Sequence, residues 1–132
     1  YDCVVCAAMD ARCNQVYVAL FRVNGGKVER LTEEECLKTD EAARMLSEYD
    51  DDIMLVGDGA FIMKKATDNE GLENVKIAPD PLRYQTGYGV CLAAVNAPQL
   101  TPEQLMPMYL KLPQAQRELM AKNAEAYKER KE

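Results

Sequence analysis

Ile53-Met54-Leu55-Val56-Gly57-Asp58-Gly59-Ala60 decides how the chain is read. Four apolar residues follow one another without a polar break, the pattern of a strand buried inside a parallel sheet. Gly57-Asp58-Gly59 then turns the chain. The residues after it take helical spacing to about Asn69, with Gly71 as the stop. The chain therefore has to contain a sheet with parallel members and helices packed on it.

Upstream of this stretch the period is two. Residues 3–9 predict a first strand and Asp10-Ala11-Arg12-Cys13-Asn14 a turn. Residues 15–23, rich in β-branched and aromatic types, predict the strongest strand. Asn24-Gly25-Gly26 is a hairpin turn, because Asn and Gly accept positive φ. A third strand starts over 27–31 and resumes around Glu35-Cys36-Leu37, completing an antiparallel meander. Ala42, Leu46 and Tyr49, with Met45 beside them, then mark a helix that Thr39 or Asp40 can cap.

Downstream, Val75-Lys76-Ile77-Ala78 predicts a short strand, and Pro79-Asp80-Pro81 starts a helix. In that helix Tyr84, Tyr88, Cys91, Leu92 and Val95 fall at helical spacing and are expected to form a buried stripe, ended by Asn96-Ala97-Pro98. The fold class expected is α/β: a mixed sheet of about five strands with an antiparallel meander, helices packed on it and a C-terminal helix from Pro113. Residues 1–100 form the lobe. Residues 101–132 form a tail with an extended Tyr109-Leu110-Lys111 and a helix carrying a weak stripe of Ala115, Leu119, Met120 and Tyr127.

Composition narrows the chemistry. The 132 residues suit one domain. No run of about 18 apolar residues occurs, so no membrane span is expected. The net charge of −6 lacks the basic face of a protein that grips nucleic acid alone. There is no His, and Ser47 is the single Ser. Ser–His and Cys–His catalysis and His-ligated zinc are thereby removed. Cys3, Cys6, Cys13, Cys36 and Cys91 are odd in number and scattered. Cys3-x-x-Cys6 lies in an apolar strand, where positions three apart face opposite sides. Ordinary thiols in a reducing cytoplasm are expected. The opening Tyr1-Asp2-Cys3, without Met, reads as an excised piece of a longer protein.

Candidate site residues sit at strand ends, where open sheets bind ligands. Asp10 is placed to face a phosphate or metal, or to bond its own turn and pair with Arg12. Gly57, Asp58 and Gly59 open a helix whose N–H groups can cradle an anion. The alternative is a tight strand-to-helix turn, and Asp58 would repel a phosphate. These four are the candidate nucleotide or partner contacts; no catalytic or metal residue is assigned. Asp50-Asp51-Asp52 reads as a solvated loop, lacking the glycine turn of a calcium site. Tyr17, Phe21, Tyr84 and Tyr88 could stack bases, but their spacing favours packing.

Three pieces carry a resemblance: Met9-Asp10-Ala11-Arg12 with Gln15-Val16-Tyr17-Val18-Ala19, Val56-Gly57-Asp58-Gly59-Ala60, and Pro107-Met108-Tyr109-Leu110-Lys111 running into Leu112-Pro113-Gln114-Ala115. In this order the chain resembles the carboxy-terminal half of the TsaB (YeaZ) family, bacterial tRNA threonylcarbamoyladenosine biosynthesis proteins of the glycoprotease-like superfamily. Gln15 stands where an acidic residue is expected, and Lys111 where Arg is commoner. The resemblance implies a ribonuclease-H-like lobe of the actin-like ATPase type and a non-catalytic scaffold, not a protease. It implies a catalytic paralogue, TsaD, and a P-loop ATPase, TsaE, as partners, with a homodimer left open. ATP and magnesium would sit on those partners, and tRNA would be met only through the complex. The competing reading is a nucleotide-binding lobe of an actin-like kinase or ATPase.

Overall fold

The computed structural model describes residues 2–95, 97–113 and 115–120. Strands β1 (Cys3–Asp10) and β2 (Gln15–Asn24) form a long antiparallel pair, from Cys3 opposite Val23 to Asp10 opposite Val16. Two short strands flank the outer edge of β2 end to end. β3 (Lys27–Arg30) pairs with its last residues and β4 (Glu35–Lys38) with its first. Between them the Thr32 side chain breaks the ladder, its Oγ1 accepting the Leu20 N–H at 2.9 Å. The expected single interrupted strand is thus two, and the sheet has six strands rather than about five.

On the other side of β1 lie two parallel strands, β5 (Ile53–Val56) and then β6 (Val75–Ile77). The path β3-β2-β1-β5-β6 joins meander and crossovers in one mixed sheet. Helices α1 (Thr39–Leu46) and α2 (Ala60–Asn69) pack on one face. Period-two alternation supplies that face with Val4, Cys6, Ala8, Val16, Val18, Leu20, Ile53, Leu55 and Val75. Ala42, Leu46, Ala60 and Met63 close the core from the helices. The one buried polar residue described, Thr67, is satisfied by the Lys64 carbonyl at 2.9 Å.

The cap of α1 differs from expectation. Thr39 donates its own N–H to the Asn14 carbonyl at 3.0 Å, so the N-cap position falls on Lys38. Lys offers no acceptor. Glu41 instead reaches back and accepts the Lys38 N–H at 3.2 Å. The acidic triplet is tied to its neighbours: Asp51 pairs with Arg22 at 2.8 Å, and its carbonyl accepts from Asn74 Nδ2 at 2.8 Å.

The largest correction concerns the segment after β6. The expected single helix is two, α3 (Asp80–Arg83) and α4 (Gly87–Ala94). The Arg83 carbonyl, which a continuing helix would offer to its own fourth neighbour, accepts the Gly57 N–H at 2.7 Å. Tyr84 is extended at φ −97°, ψ 147°, and Thr86 caps a new helix by accepting the Gly89 N–H at 3.1 Å. The expected buried stripe is exposed along its whole length. Tyr84 and Tyr88 therefore do not pack in the core, whereas Tyr17 and Phe21 are half-buried on the sheet.

In the tail, Thr101 and Gln104 form a local turn, with the Gln104 Oε1 accepting the Thr101 N–H at 2.9 Å. Residues 108–111 lie along the sheet face opposite α1 and α2, bordering a cleft of about 300 Å³ with Ala7, Met9, Tyr17 and Ala19. Lys111 Nζ holds this strap by donating to the Ala11 carbonyl at 2.7 Å. Residues 115–120 are helical; Tyr127 of the expected tail stripe lies outside the described residues. Among the described residues no helix is long and apolar enough to cross a membrane.

Candidate functional site

The C-terminal ends of β1 and β5 lie side by side, because Ala7 and Val56 are partners in the parallel register. The turns that leave these strands are therefore neighbours. They bring together all four residues singled out from sequence: Asp10 on the first turn, and Gly57, Asp58 and Gly59 on the second. The link is direct. The Asp10 N–H donates to Asp58 Oδ1 at 3.1 Å.

Asp10 serves its own turn. Its Oδ1 accepts the Arg12 N–H at 2.7 Å, and its Oδ2 lies 3.3 Å from Arg12 Nη1. The turn needs this support, because Arg12, Cys13 and Asn14 are all left-handed, at φ 62°, 54° and 56°. That conformation is unfavourable for side-chain-bearing residues, least so for Asn. The Arg12 side chain is otherwise 85% exposed, so its ion pair adds little stability.

The glycines answer to packing. Gly57 sits at φ +95°, and a Cβ there would fall 2.0 Å from the Ala8 carbonyl oxygen. At Gly59 a Cβ would lie 3.0 Å from the same carbonyl. The turn crosses the backbone of β1 too closely for any side chain. Its amides are also engaged: Gly57 N–H goes to the Arg83 carbonyl and Gly59 N–H to the Ala8 carbonyl at 3.0 Å. A phosphate cradle needs such N–H groups free. Here an anion would have to displace two backbone carbonyls beside the Asp58 carboxylate.

Sequence reading missed Arg83. Its side chain is only 10% exposed and stacks between Phe61 and Tyr84, 4.6 and 4.7 Å from the ring centroids. One Nη pairs with Asp80 at 2.8 Å, and its Nε, although buried, has no partner. Arg83 thus clamps the start of α2 to α3. Nothing in its sequence neighbourhood marks it; Asp80 three residues earlier is the sole hint. Lys111 was marked only as part of a motif, and its tether to Ala11 is a contact across one hundred residues.

Cys3 and Cys6 face opposite sides of β1, as the strand reading expects, whereas Cys91, expected in a buried stripe, is exposed. Cys6 is buried, and burial pushes its thiol up to about 12. Cys3 lies on the opposite face, its pKa raised chiefly by burial. No group of three or more Cys, Asp or Glu able to hold a metal ion occurs among the described residues. What the strand ends form is a hydrogen-bonded latch between two turns, with two carboxylates at its surface.

No protein-family model matches the sequence, and no curated protein matches it. Among solved structures the fold matches one described as the crystal structure of an uncharacterized protein with similarity to peptidase YeaZ from Pseudomonas aeruginosa. The match has a TM-score of 0.55 and 18% identity, over 82% of this chain. The chain spans about half of that protein, 49% of its length. The two share the α/β fold.

Proposed function

We propose that the chain is the carboxy-terminal lobe of a non-catalytic scaffold subunit in the complex that adds threonylcarbamoyl to the adenosine beside the anticodon of tRNA. The observation that carries this reading is the sheet held in common with a YeaZ-like structure over most of the chain. The strand-end turns suit it, because the amides of Gly57 and Gly59 hold the fold together and leave no phosphate cradle. The absence of His from the sequence suits a scaffold better than a protease. On this reading a catalytic TsaD paralogue and a TsaE ATPase are the partners, in the cytoplasm. ATP and magnesium belong to those partners, and the acidic lobe meets tRNA only within the assembly.

The pairing of Asp10 with Asp58 at adjacent strand ends favours a second reading, the nucleotide-binding lobe of an actin-like kinase or ATPase. Two measurements separate them. The scaffold reading expects the TsaD paralogue to be retained on the immobilised chain. It also expects calorimetry with ATP and magnesium to give no tight binding. Tight, magnesium-dependent ATP binding without retention of the paralogue would sink it and leave the second reading standing.

A further inference from the structure

The cleft beside the strap has a shape that residue size explains. On the sheet face away from α1 and α2, β1 and β2 set Val5 opposite Phe21, Ala7 opposite Ala19 and Met9 opposite Tyr17. Side chains directly opposite stand about 5 Å apart. The two alanine methyls therefore make a low floor between two pairs of larger residues. The strap, Met108-Tyr109-Leu110-Lys111, borders this floor and leaves about 300 Å³ open. That is the lower end of the range for small-ligand sites. Pro107 precedes the strap and Pro113 follows it closely. Each fixes φ and stiffens the span.

The two ends of the cleft differ in charge. Glu34 lines one end, and its carboxylate is already answered by Arg30, at 2.8 Å. Lys111 lines the other. Its ammonium is half-buried and donates to the Ala11 carbonyl at 2.7 Å, a neutral acceptor. An ammonium has three donors, and a charge drawn out of water needs a partner. Among the described residues no carboxylate pairs with Lys111. A ligand carboxylate would supply the missing charge.

Strand register fixes the length between the ends. The Ala11 N–H donates to the Gln15 carbonyl, so Lys111 is anchored level with the start of β2. Glu35 lies opposite Val18, which puts Glu34 level with Ala19. Four residues of β2 separate these levels, about 13 Å. Tyr17 and the alanine floor lie between. The Tyr17 ring and the thioethers of Met9 and Met108 favour an aromatic body there.

We propose that this cleft binds a small aryl-alkyl monocarboxylate. Its carboxylate accepts from Lys111 Nζ, and its ring lies over Ala7 and Ala19 beside the strap. The site uses none of Asp10, Gly57, Asp58 and Gly59, and it does not depend on the scaffold reading.

Methyl spectra of the chain labelled at alanine, titrated with phenylbutyrate, test this. Saturable shifts are expected at Ala7 and Ala19, with Ala42, on α1 at the other face, unmoved. Phenylbutyramide and phenylbutylamine keep the skeleton without the negative charge. They should bind at least about tenfold more weakly. Lys111→Met should weaken phenylbutyrate by the same factor, and Lys111→Arg should restore most of it. Ala7→Leu fills the floor and should abolish binding. No saturable shift at Ala7 and Ala19 overturns the proposal. So does equal affinity for acid and amide, a comparison that needs no substitution and so stands even if Lys111→Met releases the strap. Full binding in a folded Ala7→Leu chain would place the ligand elsewhere and overturn it too.

Discussion

Residues 3–78 and residues 84–112 are both rich in apolar side chains, but only the first region has buried them. Every buried residue described lies between Val4 and Ala78. In the second region Leu92, Met106, Met108 and Tyr109 are all more than half exposed. The first region has strands, whose alternation sorts apolar from polar side chains and gives the helices a face to meet. In the second, a short helix and extended segments carry apolar residues that leave no alternating pattern for another layer to meet, and the strap at 108–111 borders the sheet across a cleft without being buried by it. Hydrophobic content supplies a driving force, and only topology converts it into burial.

The sharpest way to break this contrast is one substitution made in the first region. Gly57→Ala forces a left-handed residue to carry a Cβ 2.0 Å from the Ala8 oxygen. A loss of roughly 4 kcal/mol or more is expected, read as a lower urea midpoint or failure to fold. A variant of unchanged stability would mean that the strand-end turn is not packed on β1. Leu20→Ala, within the core, should cost about 3 kcal/mol. Leu92→Ala is its counterpart, expected to cost about 0.5 kcal/mol or less while α4 is exposed. A Leu92→Ala loss above about 1 kcal/mol would show α4 covered and narrow the difference between the regions.

Titration sharpens the contrast in another way. Cys6 is buried with its thiol raised to about 12 from an ordinary value of 9.0. The folded state thus holds a proton that the unfolded chain releases above pH 9. The stability from this group is fully present below pH 9 and is lost as pH rises towards 12. The expected slope is about 1.4 kcal/mol per pH unit. Urea titrations between pH 8.5 and 10.5 should show it, and Cys6→Ala should flatten it.

The sequence made the first region legible and much of the second illegible, for a physical reason. Period-two runs such as Gln15–Asn24 and the unbroken Ile53–Val56 constrain themselves locally, and their pairing follows. The Gly57–Gly59 turn was legible as a turn, but the carbonyls that take its amides come from Ala8 and Arg83, far along the chain. Asp10 with Arg12 is a two-residue contact and could be read; Asp10 with Asp58 spans forty-eight residues and could not. The stripe from Tyr84 to Val95 has real helical spacing. What spacing does not encode is that Gly57 takes the Arg83 carbonyl and ends the first helix there.

The smallest expected effect returns the first substitution to the second region. Gly87 starts α4, and a Cβ built on it meets nothing within 4 Å. Its φ lies outside the left-handed range, so Ala fits the backbone without strain. Ala also lowers the entropy of the unfolded chain and favours the helix, so Gly87→Ala should stabilise by about 0.5 kcal/mol. Gly89 is the useful control, because its Cβ would lie 3.3 Å from the Thr86 Oγ1 that caps the helix. Gly89→Ala should gain less. Urea midpoints of the two variants, titrated in parallel, check both. A clear loss at Gly87 would mean that this glycine is held against another part of the lobe, as Gly57 is. The two regions would then differ in their position along the chain but not in how tightly they pack.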